Sequence, residues 1–172
     1  IKATQRSSPR LLIEILMPDF RGEEELIKKI IDASPSVMAH NLETVRRLSS
    51  EVRDNRADYD QSLEVLRYLK TNCPGGYTKS SLMIGLGENR KEILKTMEDM
   101  RDAGVDFLTI GQYLQPTKKH LKVVKFIHPD EFKELRDIGD KMGFDYVASG
   151  PLVRSSYKSA EFYIERKIRG NA

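Results

Sequence analysis

Short apolar runs alternate with amphipathic stretches along the first two thirds of the chain. The apolar run at residues 11–17 is stopped by Pro18 and has the length of a buried strand. Residues 23–33 carry apolar side chains at helical spacing, with acids first and lysines later, which predicts an amphipathic helix. Further strands are predicted at 36–39, 80–86 and 106–110, and further helices from about residue 42, at 57–70 and at 92–103. This alternation is typical of an α/β fold with parallel strands.

The pattern changes after Pro116. Residues 121–127 are expected to be extended, and a helix that begins at His128 is expected to end at Gly143. A further strand at 144–148 and a terminal helix at 161–168 follow. Because residues 1–10 are polar, we interpret them as a tail or linker. The chain therefore divides into that tail, a main α/β part at 11–117 and a C-terminal extension at 118–172.

Composition and charge narrow the class of protein. The 172 residues are 39% hydrophobic and 32% charged, which suits one domain with a real core. The net charge of +3 is interspersed, and no apolar run reaches the ~18 residues of a membrane span. We therefore expect neither nucleic acid nor a membrane as partner. The single cysteine, Cys73, excludes an internal disulfide framework and a self-contained cysteine-held iron–sulfur site.

Polar or glycine-rich segments follow each of the first four predicted strands. In parallel α/β folds, ligands bind beyond the carboxyl ends of the strands, and these segments are expected to lie on one rim. The chemistry they offer includes an imidazole, an amide and a carboxylate within four residues at 40–43. The segments are 19–22, 40–44, 85–89 and 111–117.

Two of these segments have competing interpretations. Asn41 and Glu43 could hold a ribose diol, since an amide and a carboxylate both match hydroxyl groups, or they could cap a helix. Gly85 and Gly87 do not complete a dinucleotide-binding G-x-G-x-x-G motif, because Arg90 stands at the third glycine position. They could instead let the backbone approach a ligand closely, or form a plain strand-to-helix turn.

Other candidate residues favour structural roles when taken singly. The three histidines do not have metal-ligand spacing, and Cys73 has no activating partner near it in sequence. Residues 53–56 form a charged helix connection, in which one arginine could hold a carboxylate. Residues 154–157 form a polar turn before a helix.

Six stretches together give the chain a close resemblance to the lipoyl synthase family of radical S-adenosylmethionine enzymes, in the family's order. The amino-acid sequences of these stretches are most similar to those of the eukaryotic, organellar branch of the family. The stretches are 17–22, 39–45, 52–54 with 56–57, 79–88, 111–117 with 120–121, and 149–158.

The resemblance implies a partial TIM-type radical-SAM barrel, of which this chain supplies the last four βα units and the C-terminal extension. It also implies two [4Fe–4S] clusters and S-adenosylmethionine as cofactors. The family's two cysteine triplets are absent from this chain, and Cys73 matches neither. Because no cluster can then form, we expect the chain to be a fragment and to be inactive as supplied.

The family's reaction inserts two sulfur atoms into a protein-bound octanoyl-lysine. By resemblance, Asn41 and Glu43 hold the S-adenosylmethionine ribose and Arg56 its carboxylate. The edge formed by Gly85, Gly87 and Glu88 packs near its adenine or methionine. The residues expected to ligate the sacrificial cluster are in the Arg-Ser-Ser-Tyr segment, with the catalytic Ser156 favoured over Ser155. The residues that line the acyl slot or form plain barrel core are Met83, Leu108 and Ile110.

The implied partners are an octanoylated lipoyl-carrier protein or lipoyl domain and an electron donor such as ferredoxin or flavodoxin. The implied location is the mitochondrion or a plastid, with the bacterial cytoplasm as the alternative. Two other readings stay open: a non-catalytic α/β ligand-binding module, and a different barrel enzyme using Glu88 or His40 as acid or base. A half barrel also exposes a sheet edge, which predicts poor solubility or dimerisation.

Overall fold

A five-stranded, fully parallel sheet forms the centre of the computed structural model, which describes residues 1–154, 165, 168 and 170. The strands lie side by side in chain order. Their bounds are β1 Glu14–Leu16, β2 Val37–Ala39, β3 Tyr77–Ile84, β4 Phe107–Gln112 and β5 Tyr146–Gly150. Sequential order with parallel pairing is the arrangement of a (β/α) barrel wall, and the sheet does not close. The predicted α/β partial-barrel fold is confirmed.

Helices connect successive strands, as parallel pairing requires. Asn89 caps the helix after β3 with its side chain, and Glu92 completes the capping box. His128 caps the helix that precedes β5 in the same way, with Pro129 in the first turn. The bounds are α1 Lys2–Ser7, α2 Glu24–Ile31, α3 Ser49–Val52, α4 Tyr59–Asn72, α5 Arg90–Asp102 and α6 Pro129–Lys141, with 3₁₀ turns at Phe20–Gly22 and Arg46–Leu48. Within the described residues, no helix has the length and apolar content needed to cross a membrane.

One face of the sheet packs against the helices, and the other face is concave. Side chains such as Leu82, Leu108 and Ile110 point to the helices and are fully buried in the main core with Met97. Each such burial stabilises the fold by about 1.5–3 kcal/mol. On the other face, Tyr77 and Phe107 stack with ring centroids 4.9 Å apart, at the amino end of the strands. These two rings cover the amino end of the concave face, opposite the carboxyl ends of the strands.

The structure differs from the predicted elements at several places. The helix predicted from residue 42 is wrong: the chain there makes a single parallel bridge, Glu43 to Leu82, then a 3₁₀ turn and the one-turn α3. Residues 121–127 form no strand. α1 lies in the predicted tail and buries no side chain. β5 belongs to the predicted extension yet pairs with β4, so one sheet spans the boundary predicted at 117.

Candidate functional site

A cavity of about 700 Å³ opens at the carboxyl ends of β2, β3 and β4. This volume is in the range of small-molecule sites. Its wall is the concave face of the sheet, and the segments after β4 and β5 form its mouth. The residues that line the wall include Asn41, Glu43, Ser81, Met83, Thr109 and Gly111, and those at the mouth include Tyr113, Leu114, Lys119, His120, Leu121, Leu152 and Arg154.

Glu43 occupies a strained position in this wall. Its φ is +69°, in the left-handed region that residues with a Cβ rarely adopt. Two backbone hydrogen bonds hold it there: Glu43 N–H donates to the Ser81 carbonyl at 3.0 Å, and Met83 N–H donates to the Glu43 carbonyl at 2.8 Å. Strain retained by surrounding bonds is common at functional sites.

The Glu43 carboxylate lies beside the amide of Asn41. Asn41 Nδ2 donates to Glu43 Oε1 at 3.0 Å, and both residues line the cavity. Burial raises the pKa of the Glu43 carboxyl, against the opposing effects of the Asn41 hydrogen bond and the Arg53 charge. An amide and a largely buried carboxylate, side by side in a cavity, are suited to hydroxyl groups or a cation.

His40, immediately before this pair, joins three parts of the fold. Its Nδ1 lies 3.0 Å from the carbonyl oxygen of Met17, and its Nε2 lies 3.0 Å from Ser62 Oγ in α4. Burial lowers the pKa of His40, and the nearby Arg53 charge lowers it further. In the neutral ring, Nδ1–H donates to the Met17 carbonyl, and Nε2 lies beside Ser62 Oγ, which itself donates to the Asp58 carbonyl at 2.9 Å.

Arg53 reaches the same network from the other side. Its Nη1 donates to Ser62 Oγ at 2.9 Å and to the Asp58 carbonyl at 3.2 Å. The guanidinium is partly buried, and its charge acts on both Glu43 and His40. The family resemblance gave Arg56, three residues later, the role of holding the S-adenosylmethionine carboxylate. The sign that could have favoured Arg53 is its place at the end of α3, next to the cavity-lining Val52.

Arg56 lies outside the cavity. Its Nε donates to Asp54 Oδ1 at 2.7 Å, and its side chain is 76% exposed. The structure therefore brings together Asn41 and Glu43 but leaves Arg56 on the surface.

The Gly85–Glu88 edge also lies outside the cavity lining. Glu88 Oε2 accepts from Leu86 N–H at 2.9 Å and Oε1 accepts from Gly85 N–H, which closes the loop between β3 and α5. Gly85 has φ +109°, and a Cβ there would lie 2.5 Å from the Lys125 carbonyl oxygen. Gly87 faces Val124. These contacts seat the segment at 121–127 against the sheet.

The pleat of the strands separates the three acyl-slot candidates. Met83 lines the cavity, but Leu108 and Ile110 point to the helices and belong to the main core. For Leu108 and Ile110 the barrel-core alternative is confirmed, because successive side chains of a strand face opposite sides. The polar residues missed on the cavity side are Ser81, which directly precedes an apolar run, and Thr109, which interrupts one.

The remaining candidate residues are two serines and the cysteine. Ser155 and Ser156 lie outside the described residues, directly after Arg154 at the cavity mouth. Cys73 is half-buried in the loop before β3, at the end of the sheet opposite the cavity. Among the described residues, no group of three His, Cys, Asp or Glu side chains could hold a metal ion.

Comparison with known proteins identifies the class. The family model of the Radical SAM superfamily matches residues 1–100, and the chain belongs to that superfamily. It is 53% identical over 168 residues to the mitochondrial lipoyl synthase of Branchiostoma floridae. The aligned region covers 98% of this chain and 45% of that protein. The chain is 52% identical over 165 residues to the lipoyl synthase of Myxococcus xanthus, which covers 96% and 55%.

The apicoplast lipoyl synthase of Toxoplasma gondii is 51% identical over 168 residues, covering 98% of this chain and 31% of that protein. The chain thus spans about half the length of the curated relatives it matches, or less. The resemblance to lipoyl synthases is confirmed. Because the relatives include mitochondrial, apicoplast and bacterial proteins, they do not single out one compartment.

Proposed function

We propose that this chain is the S-adenosylmethionine-binding part of a lipoyl synthase, which inserts two sulfur atoms into a protein-bound octanoyl-lysine. Identity of about 50% to lipoyl synthases supports this reaction class. The observation that carries the proposal is Glu43, a partly buried residue held at a strained φ of +69° with its carboxylate beside Asn41 in the cavity. A fold that served packing alone would gain stability by relaxing this residue.

The donor set fits S-adenosylmethionine. Glu43 accepts hydrogen bonds from a ribose diol, and Asn41 offers the second polar group, so the pair fixes the sugar. We place the methionine carboxylate at Arg53 and not at Arg56, because Arg53 faces Glu43 and Arg56 is engaged on the surface with Asp54. When bound, the cofactor supplies the oxidising power that removes hydrogen from unactivated carbons.

The acyl chain enters the same cavity in this proposal. Met83, Leu121 and Leu152 provide apolar contacts along the wall and mouth. Apolar walls exclude water from the reacting carbons and limit side reactions. Ser81 and Thr109 pair across β3 and β4 and add polar groups to the wall.

The described residues do not fit an iron–sulfur cluster. Such clusters are held by several thiolates, and Cys73 is the single cysteine of the chain, at the wrong end of the sheet. We therefore propose that these 172 residues alone do not turn over, and that the thiolates of the two [4Fe–4S] clusters come from outside this sequence. Ser156, with Ser155 as the alternative, is our proposed oxygen ligand to the sacrificial cluster.

The proposed partners follow from the reaction class. They are an octanoylated lipoyl-carrier protein or lipoyl domain and an electron donor of the ferredoxin or flavodoxin type. The mitochondrion or a plastid is the proposed location, and mitochondrial and apicoplast relatives support it, while bacterial relatives support the cytoplasm of a bacterium as the alternative.

The test measures S-adenosylmethionine binding by the chain, by calorimetry. Asn41→Ala and Arg53→Ala are each expected to weaken binding about tenfold or more, because each removes a hydrogen bond or ion pair to the ligand. Arg56→Ala is the matched control and is expected to change the affinity less than about twofold. Absence of binding by the wild type, or equal losses for Arg53→Ala and Arg56→Ala, would contradict the proposed site.

A second measurement tests the inactivity. The chain is incubated anaerobically with iron, sulfide, reductant, S-adenosylmethionine and an octanoylated lipoyl domain, and the domain is analysed by mass spectrometry. We expect no lipoyl product. Product formation would show that the chain is sufficient and would overturn this part of the proposal. Binding of S-adenosylmethionine without product in any longer form of the protein would favour the non-catalytic module.

A further inference from the structure

The mouth of the cavity carries a stretch of sequence without acidic residues. Residues 107–129 contain no Asp or Glu, although the chain as a whole has 26. The same stretch contains four lysines and two histidines. Its part from 114 to 122, which we name the mouth strip, is exposed throughout and lies directly above the cavity.

The mouth strip is an ordered surface. Tyr113 Oη donates to the Leu121 carbonyl at 2.9 Å, and Gln115 Nε2 donates to the His120 carbonyl at 2.8 Å. Thr117 Oγ1 lies 2.9 Å from His120 Nδ1. A surface that is already fixed loses little conformational entropy when a partner binds.

The lysines of the strip form no ion pair within the described part of the chain. Lys118, Lys119 and Lys122 make no ion pair with any described residue, whereas nearby Lys125 pairs with Glu131 at 2.9 Å. Arg154, on the opposite side of the mouth, adds a further cation. A cluster of one sign of charge around an opening attracts a partner of the opposite charge and speeds its association.

Apolar side chains are exposed beside these cations. Leu114, Leu121 and Leu152 are 46%, 42% and 86% exposed, and all three line the cavity mouth. Exposed apolar side chains gathered at one place mark interaction sites more often than scattered ones do. Cations around apolar anchors correspond to the rim and centre of a protein interface.

We propose that the mouth strip is the docking surface for an acidic folded protein domain that presents an acyl chain to the cavity. This inference rests on the proposed function, since it assigns the surface that receives the carrier. A cavity of about 700 Å³ behind the strip favours a partner with a protruding chain. A nucleic acid would contact the lysines but would bring no acyl chain to the cavity.

The test is a charge reversal at the strip. In one variant Lys118 and Lys122, which do not line the cavity, are changed to Glu, and in a matched control the exposed Lys2 and Lys29 are changed to Glu, so that net charge changes equally. Binding of an octanoylated lipoyl domain of negative net charge is measured by calorimetry at about 50 mM and about 300 mM salt, where screening differs.

We expect the strip variant to bind the domain at least about tenfold more weakly at low salt, and the control to change less than about threefold. The salt dependence of the wild type is expected to shrink in the strip variant alone. Equal losses in the two variants, no binding of the domain by the wild type, or stronger binding of phosphatidylserine vesicles or an oligonucleotide than of the domain would overturn the inference.

Measuring S-adenosylmethionine binding distinguishes failure of the docking proposal from failure of the proposed function. Both double variants are expected to bind it as the wild type does, because Asn41, Glu43, Arg53 and the cavity-lining Lys119 are unchanged. If the wild type binds the cofactor but the domain does not depend on the strip, the docking surface is wrong and the cofactor site stands. If the wild type does not bind the cofactor, the proposed function itself fails.

Discussion

Glu43 combines a left-handed backbone, a buried carboxylate and a hydrogen bond from Asn41. Burial raises the pKa of its carboxyl above the ordinary value of 4.5. A group whose pKa is raised on folding contributes stability below its unfolded pKa and loses it as pH rises through the folded value. At neutral pH Glu43 therefore opposes folding, and its retention is explained by binding.

This predicts opposite effects of one substitution. Glu43→Gln is expected to raise the free energy of unfolding at pH 7, because a neutral amide avoids the cost of desolvating a charge. The same substitution is expected to lower S-adenosylmethionine affinity about tenfold or more, because an amide accepts hydrogen bonds from hydroxyl groups less well than a carboxylate does. Urea unfolding and calorimetry measure the two effects. Glu64→Gln, on the exposed face of α4, is the control and should change neither. A variant that is less stable than the wild type at pH 7 would contradict the argument.

His40 predicts a pH dependence of stability. Its pKa is lowered from 6.5, since burial and Arg53 disfavour the charged ring, while Asp19 and the Met17 carbonyl favour it. A group whose pKa is depressed on folding contributes stability above its unfolded pKa, and this contribution is lost as pH falls below about 6.5. Acidification should therefore weaken the link among Met17, His40 and Ser62.

The measurement compares the wild type with His40→Gln in urea at pH 7.5 and pH 5.5. At pH 7.5 the variant is expected to be less stable by about 1–3 kcal/mol, because buried hydrogen bonds are lost. The difference should narrow at pH 5.5, where protonation already penalises the wild type. A difference that stays constant, or grows with acidity, would mean that His40 is not the titrating group.

At the scale of elements, the loop after β3 is fixed by the segment that follows β4. Gly85 O accepts from Val124 N–H at 2.8 Å, and Gln112 Nε2 donates to the Lys125 carbonyl at 3.1 Å. The first contact joins residues 39 positions apart in the sequence, and the second joins residues 13 positions apart. They explain why a glycine pair that resembled a ligand-binding loop has a packing task as well.

Substitutions at Gly85 in this loop and at two glycines elsewhere in the fold separate steric from conformational effects on stability. Gly85→Ala meets both a positive φ and backbone 2.5 Å from the new Cβ, and is expected to cost about 3 kcal/mol or more. Gly143→Ala has a φ of +86° but open space, and should cost about 1 kcal/mol. Gly75→Ala has neither and should be near neutral. Urea unfolding gives the three values, and a different order would reject the packing argument.

At the scale of the whole molecule, the sheet is open. No described strand pairs with the outer edge of β1, and Leu16 in that strand is 58% exposed. An open edge with an apolar side chain is a template for pairing with a second chain. The predicted tendency to associate has a definite location in the structure for this reason.

We expect sedimentation velocity to show concentration-dependent self-association of the chain. Leu16→Glu should weaken it by about tenfold, because it places a charge at the apolar edge. Lys29→Glu, exposed on α2, adds negative charge elsewhere and should leave the association within about twofold. A wild type that stays monomeric at high concentration would remove the basis of the prediction.

The sequence by itself determined the order of strands and helices, the parallel α/β class and the pairing of Asn41 with Glu43. These are local properties, since hydrophobic period and two-residue spacing act over one element. The family motifs added the radical-SAM class, which the comparisons confirm.

Only the tertiary structure decided which arginine faces Glu43, and that Met83 but not Leu108 enters the cavity. A shift of one position reverses the direction of a strand side chain, so the choice depends on register with neighbouring strands. The contact of Gly85 with Lys125 depends on packing between distant segments in the same way. Side-chain direction is thus set by partners that the local pattern of residues does not contain.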